Sequence, residues 1–269
     1  MAAIIPIDNP DDPRVAVYRQ VRERDLAGRQ GGFIAEGEVV LRVLLTGGGP
    51  HRAASLLLDP KRLDKLAPLL AHLPPETPVY VAGQAVLDAI AGFHIHRGIL
   101  AHGLRAPDRG AQALLGSLGE RALVLALVGI ANHDNMGGLL RNAAAFGVDA
   151  VLLDATSCDP LYRKAIRVSV GAALKVPFAR AAAGEDLVSL LEAAGLQVLA
   201  LSPGGAEPLA GVERPARAAL LLGAEGPGLP PAVLARTRTL SIAMAAGWDS
   251  LNVASAGAVA LHELTRRGG

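Results

Sequence analysis

The sequence predicts an α/β protein with two parts: a C-terminal domain on a parallel sheet and a smaller α/β domain before it. Three observations carry this. Residues 123–128 form an unbroken apolar run, the mark of a strand buried on both faces. Shorter, mostly apolar strand-like segments at 150–153, 196–201, 219–222 and 240–243 repeat the theme. Helix-length stretches with glycine stops lie among them, so strands and helices alternate, which gives a parallel sheet with helices on both faces.

In chain order, residues 15–26 make a charged amphipathic segment containing Arg19, Arg22 and Arg24. Residues 33–37 read as a strand and turn, and 39–45 as a helix ended by Gly47-Gly48-Gly49. Residues 55–58 and 79–81 read as short buried strands. Proline, glycine and polar residues then mark a linker. The division is an N-terminal domain at 1–105, a linker at 106–120 and a C-terminal domain at 121–269. The strand at 123–128 is followed by a helix at 138–146, stopped by Gly147, and by a strand at 150–153. A helix at 185–194, stopped by Gly195, precedes the strands at 196–201 and 219–222. A short helix at 231–235, a strand at 240–243 and a last helix at 251–264 complete the domain.

Composition bounds the function. Of 269 residues 51% are apolar but only 3% aromatic, so aliphatic side chains fill the core. No apolar run approaches the ~20 residues of a membrane span, and the N-terminal residues have no basic region of a secretory signal. A cytoplasmic protein is expected. Cys158 is the single cysteine, so neither an internal disulfide nor a cysteine-built metal site is expected. With a net charge of +1, nucleic acid contact falls to local clusters such as Arg19, Arg22 and Arg24, or Arg163, Lys164 and Arg167. Such clusters also occur as ordinary solvated faces.

The chemistry-bearing residues stand after three strands, where open α/β sheets bind ligands. GIANHDNMG at 129–137 follows the first, GAEGPGL at 223–229 the fourth, and Met244 through Val253 the fifth. Neither the G-x-G-x-x-G nor the P-loop pattern is present, which argues against a dinucleotide oxidoreductase and a P-loop NTPase. The glycines at 223–228 either let backbone approach a flat ligand or simply make a plain tight turn.

Together these segments closely resemble the SpoU (TrmH) family of RNA ribose 2′-O-methyltransferases, of the SPOUT class. The first motif is matched by Asn135, Gly137, Arg141 and Ala143, and the second by Gly223, Glu225, Gly226, Gly228 and Leu229. Ile242, Met244, Ser250, Leu251, Asn252 and Val253 match the third. Ala243 stands where the family commonly has proline. The N-terminal half resembles, less specifically, the family's L30e-like substrate-binding domain.

The resemblance implies S-adenosylmethionine as cofactor, held at Gly223, Ile242, Leu251, Leu201 and Gly228. It implies a deep trefoil knot, a homodimer through the C-terminal domain, and an RNA substrate. The separate N-terminal domain favours ribosomal over transfer RNA. Arg141 is the implied activator of the 2′-hydroxyl. Arginine keeps its proton, so it either lowers the hydroxyl's pKa or holds an RNA phosphate that takes the proton. Asn135 is a candidate cap for the helix carrying Arg141, and Ser250 for the last helix. The resemblance also places Ser250 and Asn252 in the active site, orienting Arg141 and substrate. Glu225 is either a loop-stabilising acceptor or a partner in the site. A catalytically silent RNA-binding protein on this fold is the competing reading, disfavoured by the intact set of Asn135, Arg141, Glu225, Ser250 and Asn252.

Overall fold

A computed structural model describes residues 3–19, 31–247 and 250–266. Its elements are, in order, β1 (Ile4–Pro6), β2 (Gly32–Glu36), α1 (Glu38–Thr46), β3 (Arg52–Leu58), α2 (Leu63–Leu70), β4 (Val79–Val81), α3 (Gln84–Ala91) and β5 (Ile99–Leu104). They continue with α4 (Ala111–Gly116), β6 (Ala122–Leu127), α5 (His133–Ala145), β7 (Ala150–Leu153), α6 (Arg163–Val168), β8 (Phe178–Arg180) and α7 (Leu187–Ala193). Last come β9 (Gln197–Leu201), β10 (Glu207–Pro208), β11 (Arg217–Leu222), α8 (Pro231–Leu234), β12 (Arg238–Ser241) and α9 (Val253–Thr265). They form two compact units: Met1–Pro107 with Asp159–Lys175, and Asp108–Cys158 with Val176–Gly269.

The first unit holds a mixed sheet in the order β1-β4-β3-β5-β2, with β5 antiparallel to both neighbours. Val15, Tyr18, Leu57, Leu87, Ile90 and Leu100 are core residues there. The Tyr18 hydroxyl lies 2.7 Å from Ser55 Oγ and accepts the His102 N–H, while burial pushes its pKa well above the usual phenol range. Residues 159–175 pack in this unit, whereas the sequence division placed them in the C-terminal domain. The physical reason is charge and fit. Arg163 of α6 pairs with buried Glu36 of β2 and lies 5.0 Å from the Phe93 ring centre. Arg105 grips both carboxylate oxygens of Asp159 at 2.6 Å. Gly171, at φ 87°, lies so close to Val43 that a Cβ would come within 3.0 Å of it.

The second unit is an all-parallel sheet in the order β10-β12-β9-β11-β6-β7-β8. Alternation along the strands sends Val124, Ala126, Ala219 and Leu221 into one cluster with Leu114, Leu115, Leu187 and Leu191 of α4 and α7. Leu222 points to the other face, where Gly257 of α9 lies against it and against Leu139 of α5. The stretch read as a linker at 106–120 contains α4, because Ala111, Leu114 and Leu115 share one face and are buried.

Both site-bearing helices begin elsewhere than their apolar patterns suggest. Asn132 Oδ1 accepts the N–H groups of Asp134 and Asn135 at 2.8 and 3.4 Å, so α5 starts at His133. Asn135 therefore does not cap the helix; it lies inside the first turn and is buried. Asn252, not Ser250, caps α9, accepting from Ala254 and Ser255 at 3.0 and 3.3 Å. Among the described residues no helix is long and apolar enough to cross a membrane.

Candidate active site

Four neighbouring strands of the second unit end together. The register sets Leu201 of β9 beside Leu240 of β12, and Leu222 of β11 beside Leu127 of β6. The turns after β9, β11 and β12 wall a cavity of about 590 Å³, ample for a cofactor. Leu201, Gly223, Gly228, Ile242 and Leu251 all line it, and so do Glu225, Ser250 and Asn252.

The turn after β11 folds tightly on itself. The Gly228 N–H donates to the Ala224 carbonyl at 3.1 Å, and Gly226 and Gly228 take φ of 85° and 68°. A Cβ on Gly223 would meet the Gly228 carbonyl carbon and lie 2.5 Å from the Leu229 nitrogen. A side chain at 223 therefore collides with the loop's own backbone.

At the edge of this cavity the carboxamide of Asn252 uses its full hydrogen-bonding capacity. Its Nδ2 donates to Asn135 Oδ1 and to Glu225 Oε1, both at 2.8 Å, while its Oδ1 caps α9. One side chain thus joins α5, the glycine turn and α9. Glu225 and Asn252 are exposed, while Asn135 is buried beneath them.

Arg141 stands apart from this cluster. It follows Asn135 by six residues, roughly 9 Å along the axis of α5. It is exposed and does not line the cavity, and its guanidinium makes no hydrogen bond or ion pair with another described residue. The Asn252 amide is directed to Asn135 and Glu225, and no hydrogen bond joins it to Arg141.

Sequence reasoning missed two further parts of the site. Ser202, Pro203 and Gly204 wall the cavity after β9; a Ser-Pro-Gly-Gly turn directly behind an apolar run was the available signal. The other part braces the turn leading into α5. Ile130 N–H donates to Ser157 Oγ at 3.0 Å, and the Cys158 N–H donates to the Ile130 carbonyl at 2.8 Å. Arg180 ties the same loop by donating to the carbonyls of Asp154, Ser157 and Cys158. Burial pushes the Asp154 carboxyl up, but hydrogen bonds from Ser157, Thr156 and the Gly129 and Ser157 amides hold it below its usual value. No short pattern announces these long-range pairs.

The basic clusters scatter. Arg163 is engaged by Glu36 and Phe93, so it packs inside its unit rather than offering an open phosphate fork. Lys164 is partly exposed and Arg167 exposed. Arg19 donates to the Asp12 carbonyl at 3.3 Å and lies 3.7 Å from the Asp11 carboxylate. Arg22 and Arg24 lie outside the described residues. No group of three or more His, Cys, Asp or Glu that could hold a metal occurs among the described residues.

Residues 122–262 match the model of the SpoU rRNA methylase family. An uncharacterised tRNA/rRNA methyltransferase of Mycobacterium bovis is 40% identical over 271 residues, which cover 97% of this chain and 91% of the relative. An AdoMet-bound rRNA methyltransferase from Sinorhizobium meliloti shares the fold, with a TM-score of 0.80 at 22% identity over 97% of both chains. A solved RNA 2′-O ribose methyltransferase is similar at a TM-score of 0.74 and 25% identity, again over 97% of both. With the family model matched over more than half its length and a 40% identical relative spanning nearly all of it, the chain belongs to the SpoU rRNA methylase family.

Proposed function

We propose that the chain transfers a methyl group from S-adenosylmethionine to a ribose 2′-hydroxyl of RNA, ribosomal RNA in preference to transfer RNA. The observation that carries this is the Asn252 carboxamide, which holds Asn135 and Glu225 at the edge of a cavity walled by glycine-rich backbone. The cavity fits the cofactor. Backbone with no side chain at Gly226 and Gly228, where a Cβ would meet open space, offers peptide groups to a purine, and Leu201, Ile242 and Leu251 supply apolar walls. When bound, the cofactor's sulfonium supplies the methyl group for an in-line displacement. Asn135 and Glu225, oriented by Asn252, position the ribose. The part of the Arg141 guanidinium is electrostatic: it stabilises the negative charge that develops on the 2′-oxygen as the hydroxyl proton leaves to an RNA phosphate or to water.

Membership of the SpoU family and the likeness to an RNA 2′-O ribose methyltransferase support the ribose as acceptor. The presence of a separate N-terminal unit favours ribosomal RNA. The reading extends to an L30e-like N-terminal domain, a trefoil-knotted C-terminal domain, a homodimer through that domain, and a place in the cytoplasm. True knots are rare, and family membership is the ground for this one.

The test is Arg141→Ala. Alanine is the better helix former, so the variant should melt like the parent. Its affinity for adenosylmethionine by calorimetry, without added metal, should stay within a few-fold. Single-turnover transfer of labelled methyl to total RNA from a strain lacking the protein should fall by ~100- to 1,000-fold, the usual penalty for a lost oxyanion donor. Near-normal transfer by the folded variant would reject this role for Arg141. Absence of cofactor binding by the parent protein would reject the proposed activity itself.

A further inference from the structure

An arginine keeps its proton, so the proton released by a ribose hydroxyl needs another acceptor. An RNA phosphate or water can take it, but the cavity also carries a base of its own. Among the described residues that line it, Glu225 is the single ionisable side chain. The others are apolar side chains, glycines, serine hydroxyls and the Asn252 amide, none of which takes up a proton at neutral pH. Glu225 is exposed and sits at the tip of the turn after β11, which a bridge between Ala224 and Gly228 closes. Its carboxylate is held by one oxygen only. Oε1 accepts from Asn252 Nδ2 at 2.8 Å, whereas Oε2 accepts from no described residue, and no described cation pairs with either oxygen. The carboxylates that brace loops in this unit behave differently. Asp154 and Asp186 each spend both oxygens on donors close by in the chain.

A carboxylate oriented through one oxygen and open at the other, at the edge of the cofactor cavity, has the form of a general base. We infer that Glu225 is the base of the methyl transfer, its Oε2 taking the proton of the 2′-hydroxyl; this rests on the proposed reaction. As the 2′-oxygen bonds to the methyl carbon, the carbon–sulfur bond breaks and its electron pair stays on sulfur, leaving a neutral thioether. The O–H bond breaks toward Oε2, leaving a methyl ether and a neutral carboxylic acid. One sulfonium cation and one carboxylate anion are thus consumed together, and the acid returns its proton to water once the products have left. Asn252, by holding Oε1, is the positioning residue for this base.

The experiment compares the full chain with E225Q. A glutamine carbonyl oxygen still accepts from Asn252, so the variant loses the basicity and keeps the bridge. It should melt as the parent does and bind adenosylmethionine by calorimetry within a few-fold. Single-turnover methyl transfer to total RNA from a strain lacking the protein should fall by ~100- to 10,000-fold at neutral pH. The pH profile separates a base from a contact. Hydroxide replaces a missing base, so the deficit of E225Q should shrink by about tenfold for each unit of pH above neutral. A residue that only positions the ribose gives a deficit that stays constant with pH. Transfer by E225Q within a few-fold of the parent would overturn the inference, as would a deficit that does not change with pH. Should E225Q not fold, E225D takes its place. It keeps a carboxylate one methylene shorter, so its rate should fall by the same factor at every pH, and a deficit that shrinks as pH rises would overturn the inference. Calorimetry on the parent keeps the two readings apart. A parent that binds no adenosylmethionine rejects the methyl transfer and this base with it. A parent that binds and transfers, beside an E225Q that transfers equally well, rejects the base alone.

Discussion

Asn252 does two jobs with one carboxamide: its oxygen starts α9 and its nitrogen holds Asn135 and Glu225. The two jobs can be separated by a one-atom change. In Asn252→Asp the capping oxygen survives, and a carboxylate at a helix N-terminus is a good cap. The donor, however, becomes an anion facing the Glu225 carboxylate and the Asn135 carbonyl oxygen. We expect a melting temperature near that of the parent with methyl transfer reduced at least ~100-fold, by analogy with loss of a preorganised contact. Asn252→Ala should lose both roles, with ~1 kcal/mol of stability gone from the cap. Single-turnover transfer and thermal melting of the pair read this directly, and near-parental transfer by Asn252→Asp would defeat it. Sequence reasoning picked out Asn252 as a site residue but gave the cap to Ser250, because both residues are capping types standing just before the helix. The same ambiguity put the cap of α5 on Asn135 when Asn132 is the residue whose oxygen meets the free N–H groups.

Among the elements, α5 and α9 approach closely because glycine stands where they meet. A Cβ on Gly138 would lie 2.9 Å from Ala254 Cβ, and one on Gly257 would lie 2.8 Å from Leu139 Cδ2 and 3.1 Å from Leu222 Cδ1. Asn142 adds a hydrogen bond from its Nδ2 to the Ala254 carbonyl at 2.7 Å. Gly257→Val should overpack this contact and cost about 1–3 kcal/mol, seen as a lower urea midpoint. Methyl transfer should fall as well, since α9 carries Asn252 at its start. An unchanged midpoint would mean that Leu139 and Leu222 yield freely. These glycines also explain which elements could be read in advance. The strands of the second unit were legible because burial on both faces leaves continuous apolar runs, as in β6 and β7. The beginning of α5 was not, since the polar residues 132–135 and Gly137 look like a loop in sequence, while Gly138 meets Ala254 in space. A six-residue helix such as α4 gives too little periodicity to stand out between Pro107 and Gly119.

For the whole molecule, a division by continuous stretches of chain could not anticipate that residues 159–175 leave one unit to complete the other. The consequence is testable by excision. A fragment of residues 1–107 keeps Glu36 but lacks both its partner Arg163 and the α6 helix that packs on β2. Loss of that ion pair and of the packing around it should lower stability by a few kcal/mol at most, up to roughly 3–5 kcal/mol if Glu36 stayed fully buried. We expect a fusion that appends 159–175 through a Gly/Ser linker to unfold at a clearly higher urea concentration than the bare fragment; equal midpoints would count against this account. The strand order has a consequence of another kind. At the middle of the parallel sheet Ala122 pairs with Arg217, which is 217 − 122 = 95 residues further on. A ribosome adding roughly 5–20 residues per second needs on the order of 5–20 s to cover that distance. Through that interval β6, whose residues end no more than 1% exposed, waits with one edge open on the nascent chain. The yield of active protein is thus a race between elongation and premature pairing of that edge, run before the methyl-transfer site has been synthesised.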